Sequence, residues 1–120
     1  MATIALLDVR PIVRLLRALG DETRMRIVAL LSHGELCVCH LEDALELSQP
    51  NASRHLGILR AAGVMETRRE KNWVYYRLAS QADVMRKKVL AELTRTFAKK
   101  AMLARDVERL KRVKGPTSCV

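Results

Sequence analysis

The sequence predicts a mainly α-helical domain with one small β-hairpin, in the order α-α-α-α-β-β-α. Three observations carry that expectation. Apolar residues recur at spacings of three and four over most of the chain, which is the period of an amphipathic helix. The period changes to strict alternation across 73–78, where Val74, Tyr76 and Leu78 interleave with Trp73, Tyr75 and Arg77, as in a strand. Among 120 residues there are only one Trp, two Tyr and one Phe. The core must therefore come from Leu, Ile, Val, Ala and Met, a composition that favours helices.

Ile4 to Leu19 is apolar at 4, 6, 7, 9, 12, 13, 15, 16 and 19, a helical pattern that Pro11 interrupts or starts. Gly20 stops it. Asp21 has the chemistry of an N-cap for a second helix from Glu22 to Ser32, with Ile27, Val28 and Leu31 inward. Arg24 rather than an acid follows three residues on, so no full capping box forms. His33-Gly34 ends that helix. A short helix is expected from Val38 to Leu47, with Leu41, Ala44 and Leu45 as its buried stripe. Ser48 caps the next, from Gln49 to Ala62; Pro50 sits in its first turn, where a missing N–H costs nothing. Ala52, Leu56 and Leu59 form its inner face, and Gly63 stops it. Val64–Arg69 and Trp73–Leu78 read as strands joined at Glu70-Lys71-Asn72.

One long helix is expected from Ser80 to Lys114. Its stripe of Leu90, Leu93, Phe97, Ala101 and Ala104 outlasts what a unit of about 80 residues covers. An apolar stripe without a partner is buried by another chain, so a homodimer through the terminal helices is expected. Residues 1–114 then form one domain that includes the dimerisation surface, and Gly115-Pro116 opens a tail, 115–120, that carries Cys119.

The formal net charge is +9. A surface this basic favours a polyanion, most often nucleic acid. Residues 83–114 alone hold eleven Lys or Arg against four Asp or Glu. Two short helices joined by a tight turn are a helix-turn-helix signal. The helix from Gln49 is then the one that reads DNA. Ser48, Gln49, Asn51, Ser53, Arg54 and His55 are its candidate contacts, since such side chains hydrogen-bond phosphates and base edges. No acid occurs from Ser48 to Ala62, which an ordinary solvated face does not predict. A hairpin directly after a reading helix is a wing, here with Arg68, Arg69, Lys71 and Arg77 as donors to the DNA backbone.

No apolar run approaches the length of a membrane span, and no secretory leader is visible. A cytoplasmic chain is expected, with its thiols reduced. The three cysteines are Cys37, Cys39 and Cys119. An odd number at these spacings is no disulfide framework. In a regular helix the Cys37 and Cys39 side chains diverge by about 200°, so gripping one ion requires an extended or frayed helix start. The positive end of the helix dipole favours thiolates there, and sulfur ligands select soft ions. The third ligand is open between His40, which suits zinc, the harder Glu42, and Cys119. About 20 Å of extended chain separates Cys119 from Val113. Neither a Cys-x-x-Cys motif beside a βαβ unit nor a phosphate-type loop is present, so a thiol enzyme is not expected.

Glu35-Leu36-Cys37-Val38-Cys39-x-Leu41, then Ser48-Gln49-Pro50-x-Ala52-Ser53-Arg54-His55-Leu56 and Leu59-Arg60-x-Ala62-Gly63-Val64, resemble the ArsR/SmtB family of metal-responsive repressors. Leu19-Gly20-Asp21-Glu22-Thr23-Arg24-x-Arg26-Ile27 resembles that family's early segment. The resemblance covers about residues 12–80. It implies a homodimeric winged helix-turn-helix repressor that leaves operator DNA when its inducer binds. The Cys-Val-Cys element is similar to the branch that senses trivalent arsenic and antimony. That branch places a third Cys where this chain has Glu42, which makes Cys119 the candidate third ligand beside Cys37 and Cys39. Cadmium and lead sensors add N-terminal cysteines, and residues 1–36 have none; zinc sensors that use the last helix rely on histidines and carboxylates there, and no His follows His55. The alternative reading keeps the winged-helix repressor but changes the signal to cadmium, lead, thiol oxidation or persulfidation.

Overall fold

The computed structural model describes residues 8–81, 83–97 and 99–113. Cys119, the tail at 115–120 and the start of the expected first helix lie outside the described residues. Within them, α1 spans Arg10–Leu19, α2 Glu22–Leu31, β1 Leu36–Cys37, α3 Val38–Leu45, α4 Gln49–Ala61, β2 Met65–Glu70, β3 Trp73–Leu78, α5 Val84–Phe97 and α6 Ala101–Val113. No helix among them is long and apolar enough to cross a membrane.

The helix boundaries follow their local chemistry. Asp21 caps α2, its carboxylate accepting the Arg24 backbone N–H at 3.0 Å, and Ser48 caps α4 by accepting from Asn51 N–H at 3.3 Å. Each satisfies one of the donors that a helix start leaves without an intrahelical partner. Pro50 stands in the first turn of α4. Glu46 ends α3 in the left-handed conformation, with φ 55°. Gly63 follows α4 with φ +74°, where a side chain would be strained and a Cβ would come 3.2 Å from Arg86 Nη2.

The core is aliphatic, as the composition requires. Among the described residues, Leu15, Ile27, Val28, Leu30, Leu36, Leu41, Leu59 and Val64 are the largest side chains fully removed from water. They come from α1 through α4, from β1 and from the turn that leads into β2, so the helix-turn-helix and the sheet share one interior.

The structure corrects the expected order at two places. First, the hairpin is part of a three-stranded antiparallel sheet, ordered β1-β3-β2. Leu36 pairs with Tyr76 and Cys37 with Tyr75, while β2 runs against β3 from Met65↔Leu78 to Glu70↔Trp73. A two-residue strand is too short to show alternation. Second, the single helix expected from Ser80 to Lys114 is two. The chain turns after Phe97, with the Lys99 and Lys100 N–H groups donating to Thr96 and Phe97 carbonyls at 3.0 and 3.1 Å. Folding back lets α6 pack on α2 and α3 and bury Leu103 and Leu110. Arg26 then donates to both carboxylate oxygens of Asp106, at 2.8 and 2.7 Å.

This return also corrects the reading of the apolar stripe. Leu90 and Phe97 are buried in their own chain's core, with Leu93 packed against it; Ala104 is exposed. The exposed apolar face lies instead on and beside α1, at Val9, Ile12, Val13 and Leu16, with Ile58 of α4 next to it across a groove of about 600 Å³.

Candidate metal centre and nucleic-acid interface

Cys37 is the N-cap of α3, with extended backbone at φ −84° and ψ 163°. Cys39 and His40 stand in the helix's first turn. This is the irregular helix start that a Cys-x-Cys grip requires, and it brings the two sulfurs to 2.8 Å. Cys37 Sγ also lies 3.4 Å from His40 Nδ1. Cys37 and His40 are buried, Cys39 half-buried, and one ligand atom from each of the three lies within 4.8 Å of the others. Sulfurs this close are placed either to be oxidised to one another or, as the dithiol, to share one soft ion. Glu42 is absent from this cluster.

The cluster is wired to the wing. Cys37 lies opposite Tyr75 in the sheet. Two residues earlier, Glu35 accepts from Arg68 Nε at 3.0 Å, and the Arg68 guanidinium carbon stands 4.8 Å over the Tyr75 ring. Arg68 also donates to Glu70 at 2.8 Å. The Arg68 hydrogen bonds hold the Glu35 carboxyl below the usual carboxylate range. Of the wing cations expected to meet DNA, Arg68 is thus engaged within the chain and Arg77 donates to Glu66 at 2.8 Å. Arg69 and Lys71 are exposed, Lys71 at the hairpin tip with φ 55°.

On α4, Ser48, Gln49, Asn51, Ser53 and Arg54 are exposed together at the helix start and along its outer side. His55 was expected among them and is not: only 6 % of it is exposed. Its Nδ1 lies 3.2 Å from Arg24 Nη1 and its Nε2 lies 3.3 Å from Arg54 Nη2. Arg24 further donates to the Ala18 and Arg17 carbonyls, at 2.7 and 3.1 Å. His55 therefore ties α4 to the junction of α1 and α2. Burial pushes its pKa down, and Arg54 and Arg24 push it the same way against the opposing pull of Asp21. The spacing signal was sound, but Ala52, His55, Leu56 and Leu59 share one inward face at steps of three and four, so His55 belonged with the stripe.

Sequence reasoning also missed the Arg26–Asp106 pair. An acid in a basic helix gives no local sign that it is buried; only the return of α6 places it against α2.

Comparison with known proteins finds relatives over most of the chain. Residues 21–67 match the family model described as "Bacterial regulatory protein, arsR family". The arsenical resistance operon repressor of Escherichia coli (strain K12) is 42 % identical over 99 residues, covering 81 % of this chain and 85 % of that protein. The arsenic resistance transcriptional regulator ArsR1 of Pseudomonas putida is 43 % identical over 112 residues, covering 86 % of this chain and 83 % of that protein. Among solved structures, the homodimeric winged helix-turn-helix DNA-binding domain Mb0332 of Mycobacterium bovis superposes with a TM-score of 0.63 at 33 % identity, covering 81 % of this chain and 87 % of that chain.

Proposed function

The chain belongs to the ArsR family of bacterial regulatory proteins, and from that premise we propose that it is a homodimeric repressor released from operator DNA by trivalent arsenic or antimony held on Cys37 and Cys39. It is a transcriptional repressor, not an enzyme. The observation that carries the inducer reading is the sulfur pair, 2.8 Å apart at the helix start that leads into the helix-turn-helix. The relatives named for arsenic resistance support the choice of ion.

In the DNA-bound dimer, α4 of each subunit enters a major groove, with half-sites about one helical turn apart. Gln49, Asn51 and Ser53 face base edges. Ser48, Arg54, Arg69 and Lys71 face phosphates, and each cation adds salt-dependent affinity. The apolar face of α1 supports the second copy as its cover, since Ile12, Val13 and Leu16 are otherwise left to water. His55 positions α4 from within and does not touch DNA.

Ligation acts through geometry. Two sulfurs each about 2.3 Å from one ion stand roughly 3.3–3.8 Å apart at ordinary bond angles, so the pair must open. Cys37 is held by the β1–β3 ladder and Val38 begins α3, so opening the pair moves the strand that carries the wing against the helix that supports α4. An inducer releases DNA only by binding the released form more tightly; a difference of about 3 kcal/mol gives more than a hundredfold change in affinity. Cys119 supplies a third thiolate in this reading. The chain works in the cytoplasm, where the dithiol form persists.

Native mass spectrometry of the reduced protein with arsenite, beside a Cys119→Ser variant, tests the assignment. The expected result is a dimer with one arsenic per subunit and loss of that adduct in the variant. A reduced dimer that takes up no arsenic ends the arsenical reading and moves the signal to cadmium, lead or oxidants.

A further inference from the structure

We propose that Trp73 is a specificity-determining residue: it seats its ring in the DNA minor groove beside each half-site and selects A·T over G·C pairs there. The proposal rests on the reading of α4 and the wing as the DNA-facing side. The chain has one Trp, two Tyr and one Phe. Phe97 is buried, Tyr76 packs on the core, and Tyr75 is half-buried under the Arg68 guanidinium. Trp73 is the exception, at 41 % exposed. It opens β3 and faces Glu70 in the last pair of the ladder before the Lys71-Asn72 turn. Alternation along the strand puts it with Tyr75 and Arg77 on the face turned away from the core. The Arg68–Glu35, Arg68–Glu70 and Arg77–Glu66 ion pairs occupy the rest of that face, and the indole stands at its tip end.

A lone exposed apolar side chain is ordinary; the setting of this one is not. Arg69 and Lys71 flank the tip, both exposed and neither in an ion pair among the described residues. Two such tips repel one another, so a second copy of the chain is a poor cover for the ring. A minor groove fits the whole tip. It is about 6 Å wide, with phosphate rows at its rims for the two cations and sugar C–H walls for a flat ring that enters edge-on. The groove floor then decides the sequence. A·T and T·A pairs show only acceptors there, whereas G·C adds the guanine N2 amino donor. The indole N–H is a donor with no acceptor, so it is satisfied by adenine N3 or thymine O2. Against guanine it meets a second donor, and both are left unmade and shielded from water. A·T runs also narrow the groove and tighten it on the ring. Trp73 thus separates A·T from G·C without telling A·T from T·A.

The test uses the reduced, full-length dimer and duplexes that this dimer enriches from a random library. With a single Trp in the chain, intrinsic emission reports Trp73 without a label. Binding is read in parallel by anisotropy of end-labelled DNA for wild type and Trp73→Ala, with the pairs flanking each half-site set to A·T, G·C or inosine·cytosine. Inosine lacks the N2 amino group, so that pair keeps the major-groove pattern of G·C and clears the minor groove. The emission is expected to change with the same midpoint as the anisotropy. Wild type is expected to lose about tenfold in affinity on G·C flanks and to regain it on inosine·cytosine. Trp73→Ala is expected to bind A·T and G·C flanks alike while keeping the wild-type salt slope, which a collapsed wing would lower. Emission that stays unchanged on DNA that anisotropy shows to be bound, or a Trp73→Ala protein with the full A·T preference, overturns the proposal and leaves the DNA reading standing. A G·C penalty that inosine does not relieve overturns it too, as does an emission shift that follows protein concentration without DNA. A dimer that enriches no duplex refutes the DNA reading and the proposal together. Should Trp73→Ala fail to fold, the wild-type emission and the inosine series still decide.

Discussion

Replacing Arg26 with Met should destabilise the fold by about 3 kcal/mol, a value set by burial rather than by charge alone. The Asp106 carboxylate is 4 % exposed and the Arg26 side chain 22 %. Removing Arg26 strips both donors, at 2.8 and 2.7 Å, from a carboxylate that water scarcely reaches. Breaking a buried pair from one side costs about 3–5 kcal/mol. The lower end applies because Arg26 is a fifth exposed and because Arg105 and Arg109 line the same cleft. At roughly 3–5 °C per kcal/mol for a chain of 120 residues, the melting temperature should fall by about 9–15 °C at fixed protein concentration. The double variant Arg26→Met, Asp106→Leu should recover most of the loss, because an apolar pair substitutes well for a buried ionic one. Urea unfolding and thermal melts, both followed by circular dichroism, check these outcomes. A single variant within about 1 kcal/mol of wild type, or a double variant no better than the single, would refute the claim that this pair clamps α6 onto α2.

His55 has a pKa in the folded chain below the usual 6.5 because burial and the neighbouring arginines disfavour the charged ring. Its contribution to stability is complete above the unfolded value and is lost as pH falls from 6.5 toward the lower folded pKa; denaturant unfolding across that window should show the loss in wild type and a flatter profile in His55→Gln. Asp21→Ala should cost about 1 kcal/mol as a lost cap. The Arg24 backbone N–H holds the Asp21 carboxyl below 3.8, so the wild-type advantage should persist above that pH and vanish as pH falls through the folded pKa. In the wing, Arg69→Ala and Lys71→Ala should each lower the slope of log affinity against log salt by about 1 without changing sequence preference, read by fluorescence anisotropy on operator and scrambled DNA.

How much of this was legible in the sequence depends on whether the signal is local. Asp21, Ser48, Pro50 and Gly63 act within one turn of the backbone, and the helices they bound came out within a residue or two. The fold of the winged helix-turn-helix was legible from periodicity because each element buries one face. What stayed hidden is long-range. The β1 strand exists only because β3 lies beside it. The break after Phe97 comes from what α6 gains against α2 and α3, and nothing within 80–114 announces it. At the candidate metal centre, the sequence called for an irregular helix start at Cys37 and Cys39, which the extended N-cap conformation matches. It left His40 as one of three candidates, and only the backbone geometry brings that ring, unlike Glu42, beside the sulfurs.

The central claim is that ligation at Cys37 and Cys39 is what frees the DNA. Its most direct measurement is an arsenite titration of the preformed complex between the reduced protein and labelled promoter DNA, run in parallel on wild type and Cys37→Ser. The account predicts that wild type dissociates as about one arsenite per subunit is added, with more than a hundredfold loss of affinity, while Cys37→Ser stays bound. A Cys37→Ser protein that leaves DNA at the same arsenite concentration would contradict it.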